Sequence, residues 1–249
     1  GQGSQSVGMG KDLYDNYESA KNVFDTADSV LGKSITNICF EGPEEDLKQT
    51  VNTQPSIVTM SIAALEALKS ELDITPSYTA GHSLGEYCAM YAAGVMSLDD
   101  TLKLIQKRAD LMSETKGGSM AAVLNAPEDA VAKASELLKA AGVRKVVPLA
   151  VSGAFHSKFM ENAGKEFEGF VSEFNLSDAK LPVVTNVDAE PTTMASEFKT
   201  KMPRQIYSSV HWTQTIEKMI SEGVDTFIEI GPGKVLAGLN RKISSEITT

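Results

Sequence analysis

Apolar positions along the chain fall into helix-spaced stripes that alternate with short β-rich runs. Between Lys11 and Leu31, the residues Leu13, Tyr17, Ala20, Phe24, Ala27 and Leu31 recur at intervals that predict a helix with one buried face. Pro55 to Leu72 predicts a second helix, with Pro55 suited to its first turn. Ser77 to Ala80 predicts a short strand, followed by a glycine-rich turn and a helix from Leu84 to Ala93 that stops at Gly94. A long helix is expected from Ser97 to Thr115. Ser97 suits its cap, and Asp99 and Asp100 suit the positive end of its dipole. Ser119–Leu124, Pro127–Ala141 and Lys145–Val151 read as strand, helix and strand. Gly117-Gly118 ahead of them reads as a hinge, which sets residues 118–151 apart as a small subdomain. A helix is then expected at Lys158–Phe174, buried strands at Pro182–Val187 and Val224–Ile230, and a last helix at Lys234–Ile243 after the Gly231-Pro232-Gly233 turn. Helices alternating with short strands predict an α/β layered fold.

Composition narrows the class. A chain of 249 residues can bury one large core, with room for a smaller insert. With 42% hydrophobic and 22% charged residues it reads as an ordinary globular protein. No apolar run approaches a membrane span, and the first residues lack the basic and apolar regions of a signal peptide. Cys39 and Cys88 are too few for a disulfide framework and lack metal-ligand spacing, which points to a reducing cytoplasm. The net charge of −10 argues against nucleic acid or an anionic membrane as partner. An acidic partner that docks on a local basic patch stays open.

The candidate chemistry centres on Gly81-His82-Ser83-Leu84-Gly85, a G-x-S-x-G placed between a predicted strand and a predicted helix. Such a turn raises the serine at a helix N-terminus, where backbone amides favour developing negative charge. It needs small neighbours, which Gly81 and Gly85 supply. The alternative is a capping serine in a glycine-rich bend. A nucleophilic serine needs a base, and the chain holds three histidines. His82 adjoins Ser83 and points elsewhere on so tight a turn. His211 stands beside Trp212 just before a helix and reads as packed or exposed. His156 follows a strand and precedes a helix, where an open α/β sheet delivers catalytic groups. Arg108 lies at the border of an apolar stripe, with Leu104 and Met112 one turn away on either side. A guanidinium there needs an anionic partner, such as a substrate carboxylate; the alternative is a snorkelling arginine that meets water or a structural carboxylate.

Eight ordered segments carry a resemblance: GQGSQ at Gly1–Gln5, NTQPS at Asn52–Ser56, GHSLGEY at Gly81–Tyr87, KRADLM at Lys107–Met112, GAFHS at Gly153–Ser157, TNVDA at Thr185–Ala189, RQIY at Arg204–Tyr207 and EIGPGKVL at Glu229–Leu236. On these the chain resembles the malonyl-CoA:acyl carrier protein transacylases, an acyltransferase family of fatty acid synthesis. The resemblance implies that Ser83 is the acylated nucleophile and His156 the general base and then acid. It implies an oxyanion hole from the backbone amides of Gln2 and Leu84. A main-chain carbonyl at Gln205 would orient the histidine, Arg108 would grip the malonyl carboxylate, and Phe155 would belong to the malonyl-selective pattern. The implied reaction moves malonyl from malonyl-CoA to the phosphopantetheine thiol of acyl carrier protein, without metal or redox cofactor, in a monomer. A carrier of that pathway is acidic, so a local basic patch is expected, from Lys234, Arg241 and Lys242 or from Lys199, Lys201 and Arg204.

The implied fold is a hydrolase-like core, a mostly parallel sheet flanked by helices, formed by residues 1–117 and 152–249. A ferredoxin-like subdomain at 118–151 would be shortened to one strand, one helix and one strand. Family members carry an apolar strand that runs into the GQG turn. The sequence starts inside that turn, so this strand is expected to be missing from the sheet. Two other classes stay open on the residues alone. A serine hydrolase of the α/β-hydrolase or patatin-like kind would require, in its α/β-hydrolase form, an acid between serine and histidine in chain order and usually a late histidine. A non-catalytic carrier-docking module would leave Ser83 unreactive.

Overall fold

The computed structural model describes residues 1–115, 120–124, 145–148 and 153–249. Its centre is helical. Helices α1 (Lys11–Asn16), α2 (Glu18–Leu31), α3 (Ile35–Phe40) and α4 (Glu44–Leu47) lead into α5 (Thr50–Glu71). After β1 (Thr79–Ala80) come α6 (Gly85–Ala92) and α7 (Leu98–Glu114). Strands β2 (Ala121–Leu124) and β3 (Lys145–Pro148) follow, then α8 (Glu161–Ser172), β4 (Val183–Val184), β5 (Pro191–Thr192), α9 (Ala195–Tyr207), α10 (Trp212–Ser221) and α11 (Val235–Ile243). Helices α2, α5 and α7 pack on one another, and α8 packs against α7 and α9. Their buried faces, among them Val23 and Phe24, Ile57 and Ile62, Leu102 and Ile105, and Phe167, form the main core. A smaller cluster gathers Val184, Trp212, Ile216 and Met219.

Several predicted helices shift at their ends for identifiable reasons. The stripe from Lys11 to Leu31 is two helices. Tyr17 between them is extended, and Asn16 Nδ2 donates back to Asp12 O at 2.7 Å, closing α1 with a side chain. Helix α5 starts at Thr50, so Pro55 lies inside it rather than at its first turn. The missing N–H at Pro55 frees the carbonyl one turn earlier. That carbonyl, Val51 O, accepts from Lys33 Nζ at 2.9 Å and Gln106 Nε2 at 3.2 Å instead. In α7 the expected cap is present, with the Asp100 N–H donating to Ser97 Oγ at 3.1 Å.

The sheet departs from expectation. It has three two-residue strands in the order β1–β4–β5. β1 runs parallel to β4 through Thr79↔Val183 and Ala80↔Val184, and β4 runs antiparallel to β5. The expected mostly parallel sheet is therefore a small mixed one in a largely helical fold. Val224–Ile230 does not form the expected buried strand. Its single ladder contact among the described residues is the bridge Thr226↔Thr248, and Ile228 is 60% exposed. A buried strand needs hydrogen-bonded neighbours. This segment instead borders a cleft of about 540 Å³, with Thr75–Gly81 and the leucines Leu65, Leu68 and Leu72 also on its walls. β2 and β3 pair antiparallel from Ala121↔Pro148 to Leu124↔Lys145, apart from the β1–β4–β5 sheet. The expected helix at Pro127–Ala141 and most of the 118–151 subdomain lie outside the described residues.

Candidate active site

β1 ends at Ala80, and within four residues the chain has reversed into α6. Ser83 sits at φ 54°, a left-handed conformation that non-glycine residues seldom adopt. The steric demand falls on one glycine only. A Cβ at Gly81 would come within 2.0 Å of the Gly85 carbonyl carbon and oxygen, whereas one at Gly85 would meet nothing within 4 Å. The expectation that both glycines are needed is corrected accordingly: the tight approach is between the backbones of residues 81 and 85.

His156 reaches the elbow from the loop before α8, also at positive φ, 56°. Its ring Nδ1 lies 2.8 Å from Gln205 O and 3.2 Å from Ser208 O. Carbonyls only accept, so the ring proton belongs on Nδ1 and Nε2 is left bare. Ser83 Oγ stands 2.7 Å from Nε2, with its hydroxyl placed to donate. Burial pushes the His156 pKa down to about 4, helped by the positive charge of Arg108. The imidazole is thus neutral near pH 7, ready to accept a proton.

Arg108 projects from α7 and is fully buried. Its Nη1 donates to Gln54 Oε1 at 2.5 Å, and its Nη2 donates to Gln205 Oε1 at 3.0 Å and to Ser83 Oγ at 3.1 Å. The face of the Tyr87 ring lies 5.6 Å from the guanidinium carbon. Nε has no hydrogen-bond partner among the described residues. Among the described residues no carboxylate lies within ion-pair distance of Arg108. Its protein partners are neutral oxygens.

Gln205 therefore holds the site at both ends of the residue. Its carbonyl takes the His156 proton donor, while its side chain accepts from Arg108 and donates from Nε2 to Ser83 O at 2.7 Å. Leu84 is buried at the head of α6. Gln2 lies in the turn next to Gly1, which packs against His82, and its Nε2 donates to Thr50 Oγ1 at 3.1 Å. Phe155 is buried in the main core, next to His156 in the chain. The other two histidines stand outside this group. His82 meets the Trp212 ring edge-on at 5.6 Å, and burial pushes its pKa down to about 4. His211 precedes α10, and its N–H donates to Asn186 O at 3.0 Å.

Residues 1–128 match the acyl transferase domain model. The malonyl CoA-acyl carrier protein transacylase of Bacillus subtilis strain 168 is 40% identical, over the whole of this chain and 90% of its own length. The chain belongs to the malonyl CoA-acyl carrier protein transacylase family. Solved structures agree with the match. The acyl-carrier-protein S-malonyltransferase of Bartonella henselae superposes with a TM-score of 0.95 at 32% identity, covering 100% of this chain and 91% of that one. A malonyl-transacylase in complex with the acyl carrier protein of a type II PKS superposes with a TM-score of 0.91 at 31% identity, covering 100% and 92%.

Three buried polar residues packed around this group were not singled out from sequence. Gln54 and Asn186 lie inside the matched NTQPS and TNVDA segments, and Glu86 lies two residues beyond Leu84. Each is fully or almost fully buried. The available signal was a polar residue at an otherwise buried position: Gln54 next to Pro55 in an apolar helix, and Asn186 just past the Val183–Val184 strand. Glu86 is wholly enclosed, and burial pushes its carboxyl up to about 7.

Proposed function

We infer that this protein transfers the malonyl group of malonyl-CoA to the phosphopantetheine thiol of acyl carrier protein, for fatty acid synthesis, through an ester on Ser83. The observation that carries the reading is one oxygen. Ser83 Oγ lies 2.7 Å from the bare nitrogen of a neutral histidine and 3.1 Å from a buried arginine that has no carboxylate partner among the described residues.

In the first half-reaction His156 Nε2 takes the Ser83 proton as Oγ attacks the thioester carbon. General-base help of this kind is worth about 10²–10⁴-fold. The tetrahedral oxyanion rests on the backbone amides of Gln2 and Leu84, each worth about 2.7–4 kcal/mol by analogy with other oxyanion holes. The C–S bond then breaks, His156 returns the proton to the CoA sulfur, and malonyl-Ser83 remains. In the second half-reaction the carrier thiol gives its proton to His156 and attacks the ester. Ser83 leaves, reprotonated by His156. The carbonyl of Gln205 keeps the imidazole in the tautomer that both halves need. Arg108 binds the free carboxylate through its planar fork, which orients and selects the malonyl group rather than lowering the chemical barrier. Phe155 contributes bulk on the acyl side.

The alternative serine-hydrolase reading loses support here, because His156 Nδ1 faces two backbone carbonyls rather than a carboxylate. Residues 1–117 and 152–249 form the catalytic domain in this reading, with 118–151 inserted. The separate β2–β3 ladder favours that division. The free thiols Cys39 and Cys88 suit the cytoplasm.

Intact-protein mass after mixing with malonyl-CoA tests the proposal. The wild type should gain one malonyl group and pass it to acyl carrier protein faster than to water, and Ser83→Ala should gain none. An adduct on Ser83→Ala would overturn the assignment.

A further inference from the structure

Asn186 is fully buried, and three of its four polar atoms, Oδ1, Nδ2 and the backbone N, bind residues of the elbow. Oδ1 accepts from the Ser83 N–H at 2.8 Å and from Gln205 Nε2 at 3.4 Å. Nδ2 donates to Gly81 O at 2.8 Å. The backbone N–H donates to Glu86 Oε2 at 2.5 Å, and the backbone O accepts from the His211 N–H at 3.0 Å.

This pattern continues the sheet by other means. β1 and β4 pair in parallel through Ala80↔Val184, and there the backbone ladder stops. The first strand must leave the sheet so that Ser83 can rise. A primary amide carries the same C=O and N–H as a peptide unit. Two residues past β4, the Asn186 side chain sets one group on the N–H of residue 83 and the other on the carbonyl of residue 81. It acts as a short piece of strand that follows the chain through the bend. A non-glycine residue at positive φ persists only where its surroundings over-determine it. Asn186 provides that restraint at Ser83, and Glu86, the second residue of α6, reaches back to hold Asn186.

We propose that Asn186 is a positioning residue for the Ser83 nucleophile and that Glu86 anchors it by accepting the Asn186 N–H. The proposal rests on reading Ser83 as the nucleophile. Rotation of the peptide between His82 and Ser83 would swing Oγ away from both His156 Nε2 and Arg108 Nη2. A misplacement of about 1 Å can cost about 10²-fold in rate.

The test is the single-turnover rate of malonyl adduct formation, followed by quenched-flow mass spectrometry and normalised to the folded fraction, with KM for malonyl-CoA measured beside it. Asn186→Ala should slow acylation about 10²-fold while KM stays within about threefold. Asn186→Asp keeps an acceptor for the Ser83 N–H but loses the donor to Gly81 O. It should also be slow, and it carries the test if the alanine variant does not fold. Glu86→Gln keeps an acceptor for the Asn186 N–H and should stay within about threefold of wild type, whereas Glu86→Ala should fall tenfold or more. Wild-type acylation per folded molecule in an Asn186 variant would overturn the proposal. So would equal losses in Glu86→Gln and Glu86→Ala, or a loss confined to KM. Ser83→Ala runs alongside: an adduct there refutes the nucleophile itself, while its absence with a fast Asn186 variant refutes only the positioning role.

Discussion

Acidification should weaken this fold by a calculable amount. His82 and His156 are both held at about 4 in the folded state by burial, against an ordinary value of 6.5. Glu86 is held at about 7, also by burial, against 4.5. Between pH 6.5 and 4.5 the unfolded chain binds two protons on the histidines that the native protein refuses. The native protein in turn binds one proton on Glu86 that the unfolded chain has released. The histidine contribution is complete above pH 6.5 and is lost as pH falls toward 4. The Glu86 contribution runs the other way, complete below pH 4.5 and lost as pH rises to about 7. From these three groups the unfolded state thus binds one more proton in this window, so their net contribution to stability should fall by about 1.4 kcal/mol per pH unit, or about 3 kcal/mol across it. Urea unfolding at pH 7.5, 6.5, 5.5 and 4.5 measures the slope. Glu86→Gln removes the offsetting proton while leaving an acceptor for the Asn186 N–H, so its slope should double to about 2.7 kcal/mol per unit. A wild-type stability that is flat or rises on acidification in this window would refute the reasoning. An unchanged slope in Glu86→Gln would show that Glu86 is ionised in the fold.

Three further outcomes follow from the site. Gly81→Ala should destabilise by about 3 kcal/mol, since the added carbon meets backbone at 2.0 Å, whereas Gly85→Ala should lie within about 1 kcal/mol of wild type; thermal melts compare the two. Arg108→Ala should cut the preference for malonyl over acetyl about 10²-fold or more, read from kcat/KM with the two CoA esters, because two charge-assisted hydrogen bonds are lost. Charge reversal at Arg241 and Lys242, both exposed on α11, should weaken transfer to acyl carrier protein and spare acylation by malonyl-CoA; equal loss in both half-reactions would remove them from the docking surface. Lys201 is a poorer docking candidate than its sequence neighbours suggest, because its ammonium is bound to Asp188 and Thr192 and only 12% of its side chain is exposed.

Stripes with a single apolar face were legible wherever local pattern and tertiary burial agreed. Helix α7 shows this, from its Ser97 cap to the buried row of Leu102, Ile105 and Met112. Legibility failed where a neighbour decides the outcome. Val224–Ile230 has the composition of a buried strand, yet burial and pairing depend on what lies beside it, and it borders a cleft. Helix α9 escaped notice because Pro203 sits inside it. Packing overrides that local signal: α8 comes so close that a Cβ at Gly164 would lie 2.4 Å from the Tyr207 ring.

The site divides along a chemical line. Ser83 and His156 were legible as candidates because few residues in the chain fit the roles proposed for them: one serine in a G-x-S-x-G and one histidine of three at a strand-end loop. Of the amides around them, Gln205 was reached only through the RQIY resemblance and Gln54 and Asn186 not at all, because glutamine and asparagine are common and their contribution exists only as a position in space. Yet those amides decide what Arg108 is. From sequence, the arginine needed an anionic partner, and a structural carboxylate was an open answer. The structure surrounds it with Gln54, Gln205 and Ser83, which bind its two Nη groups without neutralising its charge. The buried Glu86 carboxyl lies near enough to act on it electrostatically, and burial pushes that carboxyl up to about 7, which weakens its negative charge. A carboxylate in place of either glutamine would make a stable ion pair and repel an incoming anion. Neutral acceptors keep the guanidinium folded in and still unpaired, which is the condition the proposed malonyl grip requires.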